Sequence, residues 1–189
     1  THFVTELPMP DTQAPWTHLY VHGTRKVRVT ACSFANDVPN FFPVEQWGTG
    51  MRVYNAEIAV QGNTNPNFSY VRNLRTGIWR TGSPKMPITV DGMRFSGNRR
   101  GVHDDGGYFS RYTNNTFSIP DQGTAPTRRE GMRLNQTRFF TVERNTFTGE
   151  DQAIGTDENS IGIFFLGIAP VDNGIWNYSA ERIYDNTFT

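Results

Sequence analysis

The residues of this chain best suited to chemistry are His103-Asp104-Asp105, with Arg99, Arg100 and Arg111 close by in sequence. Carboxylates can act as acid and base or hold a calcium ion, and a basic side chain can take a proton α to another carboxylate. Such work needs the groups on one face. In a β-strand consecutive side chains point to opposite sides, so at most one of Asp104 and Asp105 joins such a face unless the chain has already turned. The Gly106-Gly107 that follows also fits a plain solvated turn. If coils of chain stack in register, Arg80 and Arg133 would lie on adjacent rungs of the same face.

A second oxygen-rich stretch runs from Glu150-Asp151 to Asp157-Glu158-Asn159. Asp151, Asp157 and Glu158 are its calcium candidates, and calcium is the one cofactor the sequence suggests. The stretch lacks the spacing of a known calcium loop and reads first as a solvated acidic corner. Of the histidines His2, His18, His22 and His103, no two are spaced as a metal pair on a strand face, and a single cysteine, Cys32, adds no ligand set and no internal disulfide. No serine sits in a nucleophile-elbow context and no glycine-rich phosphate loop is present.

The elements that would position these groups are announced by repetition. Alternating apolar residues followed by Asn-x-Phe occur at Phe140-Thr141-Val142-Glu143-Arg144-Asn145-Thr146-Phe147, at Tyr112-Thr113-Asn114-Asn115-Thr116-Phe117 and at Ile183-Tyr184-Asp185-Asn186-Thr187-Phe188. Looser copies end at Phe95 and Phe34, and the weakest is Phe68-Ser69-Tyr70-Val71-Arg72-Asn73-Leu74. Between copies stands a second word, a glycine followed by an aliphatic residue, at Gly50, Gly77, Gly101, Gly131 and Gly162, intervals of 24 to 31 residues. A repeat of that length marks a solenoid. The physical reading is an all-β, parallel β-helix of about six to seven coils, its strands lying on those of the coil below and its length variation confined to protruding corner loops. Asn73, Asn115, Asn145 and Asn186 would form a hydrogen-bonded ladder at one bend, with Cys32 and Met93 in the same slot of the looser copies. Phe34, Phe95, Phe117, Phe147 and Phe188 would stack in the core.

Composition agrees with that class. The chain has 189 residues, 13% aromatic, with zero formal net charge. It reads as one domain over residues 1–189, a Pro-rich entry segment at 1–16 preceding repeats that start near His18. Zero net charge gives no electrostatic case for nucleic acid or for an anionic membrane. No stretch has the length of a membrane-spanning helix.

With these words in hand, the chain resembles the right-handed parallel β-helix proteins of the pectin-lyase-like superfamily. More narrowly, Phe140-Thr141-Val142-Glu143-Arg144-Asn145-Thr146-Phe147 and Ile161-Gly162-Ile163 are similar to the repeats of large β-helix proteins that Bacteroidetes secrete through the type IX pathway. The resemblance implies a secreted or cell-surface location. The superfamily includes polysaccharide lyases, polygalacturonases and pectin esterases, whose motifs find no match here. The first functional expectation is therefore a non-enzymatic, extracellular structural or adhesive segment. The alternative is a carbohydrate-active β-helix that binds or cleaves an acidic polysaccharide, as a lyase or glycoside hydrolase. The chain stops inside a fresh copy of the core word at Phe188, which leads to the expectation of a longer β-helix or of end-to-end stacking on its own kind through strand edges.

Overall fold

In a computed structural model, residues 1–5, 16–37, 47–63, 65, 68–120, 129–150, 160–166 and 181–189 are described. A single strand, β1 (His2–Thr5), precedes six coils of three strands each. The first coil comprises β2 (Thr17–His22), β3 (Val27–Thr30) and β4 (Ser33–Asn36), and the second β5 (Thr49–Tyr54), β6 (Ile58–Gln61) and β7 (Tyr70–Arg72). The third is β8 (Thr76–Thr81), β9 (Ile88–Asp91) and β10 (Arg94–Ser96), and the fourth β11 (Arg100–Asp105), β12 (Arg111–Thr113) and β13 (Thr116–Pro120). The fifth contains β14 (Arg129–Asn135), β15 (Thr141–Glu143) and β16 (Thr146–Glu150), and the sixth β17 (Ser160–Leu166), β18 (Arg182–Tyr184) and β19 (Thr187–Phe188).

All pairings are parallel, and corresponding strands of successive coils build three sheets. Sheet A runs β1-β4-β7-β10-β13-β16-β19, sheet B β2-β5-β8-β11-β14-β17, and sheet C β3-β6-β9-β12-β15-β18. The fold is a right-handed parallel β-helix of about six coils. Each core word thus spans two sheets, because its centre is a bend. The chain leaves sheet C through one left-handed residue, Asn114 (φ 56°), Arg144 (φ 53°) or Asp185 (φ 55°), and enters sheet A after the asparagine that follows. Residues of positive φ also turn the chain from sheet B towards sheet C, singly at Asn55 and Gly82 and in pairs at Gly106 with Phe109 and Gln136 with Phe139.

The two sequence words interlock in the core. The rings of Phe95, Phe117, Phe147 and Phe188 lie nearly parallel, with successive centroids 4.7, 4.7 and 5.0 Å apart, close to the strand spacing. A second stack, Phe3 on Phe34 at 5.0 Å, is separated from the first by Val71, which sits in register between Phe34 and Phe95. The glycine file of sheet B lies against these rings. A Cβ on Gly101 would stand 2.8 Å from the Phe117 ring and 2.6 Å from the Gly131 carbonyl oxygen, and one on Gly131 would stand 2.9 Å from Phe147. Only glycine leaves room there for rings at that height.

At the bend between sheets C and A, asparagines hold successive coils together. Asn145 Oδ1 accepts from the Asn115 amide and from Asn115 Nδ2, each at 2.9 Å, while its own Nδ2 donates to the Tyr112 and Glu143 carbonyls. Asn186 does the same for Asn145, and Asn115 Oδ1 accepts from the Met93 amide. Asn73 does not belong to this file. It is itself a left-handed corner residue (φ 55°) where sheet A turns towards sheet B, one bend further along the coil. Asn98, after Gly97, makes the ladder contacts at that corner, accepting from the Leu74 amide at 3.0 Å and donating to the Val71 carbonyl at 2.8 Å.

Asn145 is fully buried and Asn186 only partly so. Replacing Asn145 by Leu leaves the buried Asn115 amide unpaired, at roughly 1–3 kcal/mol. Denaturant unfolding should show Asn145→Leu losing clearly more stability than Asn186→Leu.

Candidate functional site

Because the coils are in register, the residue two places after each glycine of the second word points outward from sheet B at one height. Tyr20 pairs with Arg52, Arg52 with Trp79, Trp79 with His103, His103 with Arg133 and Arg133 with Phe164. The result is an outer file in which arginines and rings touch. The Arg52 guanidinium lies 5.9 Å from the Tyr20 ring centroid and 4.7 Å from that of Trp79, and the Arg133 guanidinium lies 4.9 Å from Phe164. Trp79 and His103 stack at 5.9 Å with 2° between their planes.

Beside this file a cleft of about 310 Å³ is lined by Thr17, Thr49, Arg52, Arg75, Thr76, Trp79, Arg100 and His103. Two of its donors, Arg52 Nε and Trp79 Nε1, are buried and have no hydrogen-bond partner among the described residues. Buried donors are nearly always satisfied, so a pair of orphans in one cleft points to an acceptor-rich occupant. Arg75 makes no ion pair among the described residues, whereas Arg100 and Arg133 share one buried carboxylate, Glu130, with Arg100 Nε 3.0 Å and Arg133 Nε 2.7 Å from Oε2. Burial, then the Arg100 charge, pushes the His103 imidazole down to about pKa 4, so it is neutral in ordinary conditions. The cleft therefore offers cations, neutral donors and an aromatic platform.

The sequence candidates do not all converge on it. Of His103, Asp104, Asp105 and Arg111 only His103 lines the cleft, beside Arg100, which the sequence placed nearby. Asp104 points into the core, fully buried, where Tyr112 donates to it at 2.6 Å and Arg80 Nη1 lies 3.4 Å away. Arg80 is in the same register inside the sheet, donating also to the carbonyls of Asp105 and Met86 and to that of Ser83, so it and Arg133 occupy opposite sides of sheet B. Burial raises the Asp104 carboxyl, opposed first by Arg80 and then by the Tyr112 hydroxyl. Gly107, where a Cβ would stand 2.4 Å from the carboxylate, closes over it. Asp104 is thus a core ion-pair residue and not part of a solvated turn. Asp105 points outward and accepts from Asn135 Nδ2 at 2.8 Å. Arg111 belongs to sheet C, on another face. The calcium candidates Asp151, Asp157 and Glu158 lie outside the described residues. Among the described residues no group of three His, Cys, Asp or Glu could hold a metal ion.

Sequence reasoning did not single out Arg52, Arg75, Trp79 or Glu130. The signal for the outer file was present in the glycine word, since Gly50-Met51-Arg52, Gly77-Ile78-Trp79 and Gly101-Val102-His103 put these three at one position of the repeat. Comparison with known protein families, with characterised proteins and with solved structures finds no match for this chain.

Removing one partner of a buried ion pair typically costs about 3–5 kcal/mol, so Asp104→Ala should lower stability by that order in thermal or denaturant unfolding. Nuclear magnetic resonance should find His103 titrating near 4. Its ordinary value is 6.5, so the unfolded chain takes up this proton first. The stability contributed by neutral His103 is full above about pH 6.5 and should be lost as pH falls from there through 4.

Proposed function

We propose that the protein is a non-enzymatic, secreted or cell-surface adhesive β-helix whose sheet B face holds an acidic polysaccharide. The observation that carries this reading is the cleft in which Arg52 Nε and Trp79 Nε1 are buried beside Arg75, all three without an acceptor or ion pair among the described residues. A carboxylated sugar brings acceptors for all three and an apolar ring face for Trp79. The rungs repeat at about 4.8 Å, comparable with one sugar residue, so a chain lying along the coil axis meets one outer residue per rung. The resemblance of the repeats to secreted Bacteroidetes β-helix proteins of the pectin-lyase-like superfamily supports both the location and the ligand class.

Binding without cleavage fits the disposition of the carboxylates. Glu130 is paired with two arginines, Asp104 is sealed in the core, and an imidazole of pKa about 4 is a weak base.

Affinity electrophoresis in gels containing polygalacturonate should retard the protein, with neutral dextran leaving it unretarded. The double variant Arg52→Ala, Arg75→Ala should weaken sheet B binding at least tenfold, and added salt should weaken it in the wild type. Unsaturated products or new reducing ends appearing during incubation would replace this reading by the cleaving alternative.

A further inference from the structure

The outer face of sheet C carries a second cationic cleft, of about 420 Å³. Its floor is made by short side chains, Ala59 on β6 and Thr89 on β9, which are register neighbours. At one end stands Arg28 on β3 and at the other Arg111 on β12, both exposed and without an ion pair or hydrogen bond among the described residues. They belong to one outward file three rungs apart, about 14 Å at the strand spacing. Arg144, also at the rim, is already committed to Glu143 and to Asn114. Asp91 stands beside this file, two residues along β9 from Thr89, in the cleft lining. Its Oδ1 accepts from Thr113 Oγ1 and Asn114 Nδ2, each at 2.7 Å, which fixes the carboxylate.

We propose that this cleft is a second saccharide site, taking an acidic chain whose carboxylates meet Arg28 and Arg111 while a ring hydroxyl donates to the Asp91 carboxylate beside them. A fixed acceptor beside two cations selects a ligand that is both anionic and hydroxylated. A simple polyanion would be repelled by Asp91, and a neutral sugar would leave both guanidiniums without a partner. Sheets B and C are different sides of the same rod, so one protein molecule can hold two polysaccharide chains. Cross-linking then arises from a single coil stack, with no oligomer required. The bridging, but not the sheet C site itself, rests on the sheet B reading.

The experiment uses the full chain with alginate, dextran sulfate and neutral dextran, reading stoichiometry by calorimetry and cross-linking by light scattering. Wild type should bind alginate at two sites and scatter strongly at sub-saturating polymer. Arg28→Gln with Arg111→Gln, and independently Ala59→Glu, which fills the floor with a like charge, should each halve the stoichiometry and abolish scattering, with circular dichroism unchanged. Arg52→Gln with Arg75→Gln should leave one site, and this remaining site should prefer alginate to dextran sulfate at least tenfold. Stoichiometry and scattering untouched by both sheet C changes would overturn the site. So would a sheet B variant that retains no binding. If instead the sheet C changes remove all binding and the sheet B changes none, the sheet C site stands and the sheet B reading falls.

Discussion

The packing of phenylalanine rings against a file of glycines is the constraint on which the remainder of this structure depends. Rings stacked at 4.7 Å can follow one another only if successive coils advance by one strand spacing with no slip in register. The facing strand must then come close enough that Gly101 and Gly131 have no space for a Cβ. Together the two words fix both the height and the rotation of each coil. A slip of one residue would turn every inward side chain of that coil to solvent, so register here is a property of the whole stack.

What the core enforces, the surface inherits. Since Met51, Ile78, Val102 and Met132 stack inside sheet B, the residues after them must stack outside it, and so Arg52, Trp79, His103 and Arg133 form a file that no local interaction in the sequence would bring together. The same rule separates groups that are adjacent in the chain. His103 looks outward and Asp104 inward, so the imidazole belongs to the cleft and the carboxylate to Arg80 and Tyr112. The asparagine ladder and the Arg80–Asp104 pair serve the inside, satisfying polar groups that the tight bends would otherwise bury alone.

The architecture was legible in the sequence because its determinants repeat. Asn115, Asn145 and Asn186 each follow a left-handed residue and precede Thr-Phe, a local pattern with one structural solution. Asn73 shows where that logic stops. Residues of positive φ occur at all three kinds of corner, asparagine tolerates that conformation, and a word cut short by one residue cannot say which corner it marks. The site was less legible. Its residues share a position in the repeat but not a chemical type, so a search for clustered acids and bases fell on His103-Asp104-Asp105, three neighbours in sequence that the strand period sends to two sides of a sheet.

The proposed anion-accepting face is assembled by register alone from residues far apart in the chain. A nuclear magnetic resonance titration with a short uronate oligosaccharide tests it most directly, following the Trp79 indole N–H and the Arg52 Nε–H. Both donors are buried without acceptors among the described residues, so both signals should move together and saturate at one ligand concentration, while the amides flanking Phe117 and Phe147 stay in place. If the oligosaccharide binds and these two signals do not move, the face is not the one the register builds.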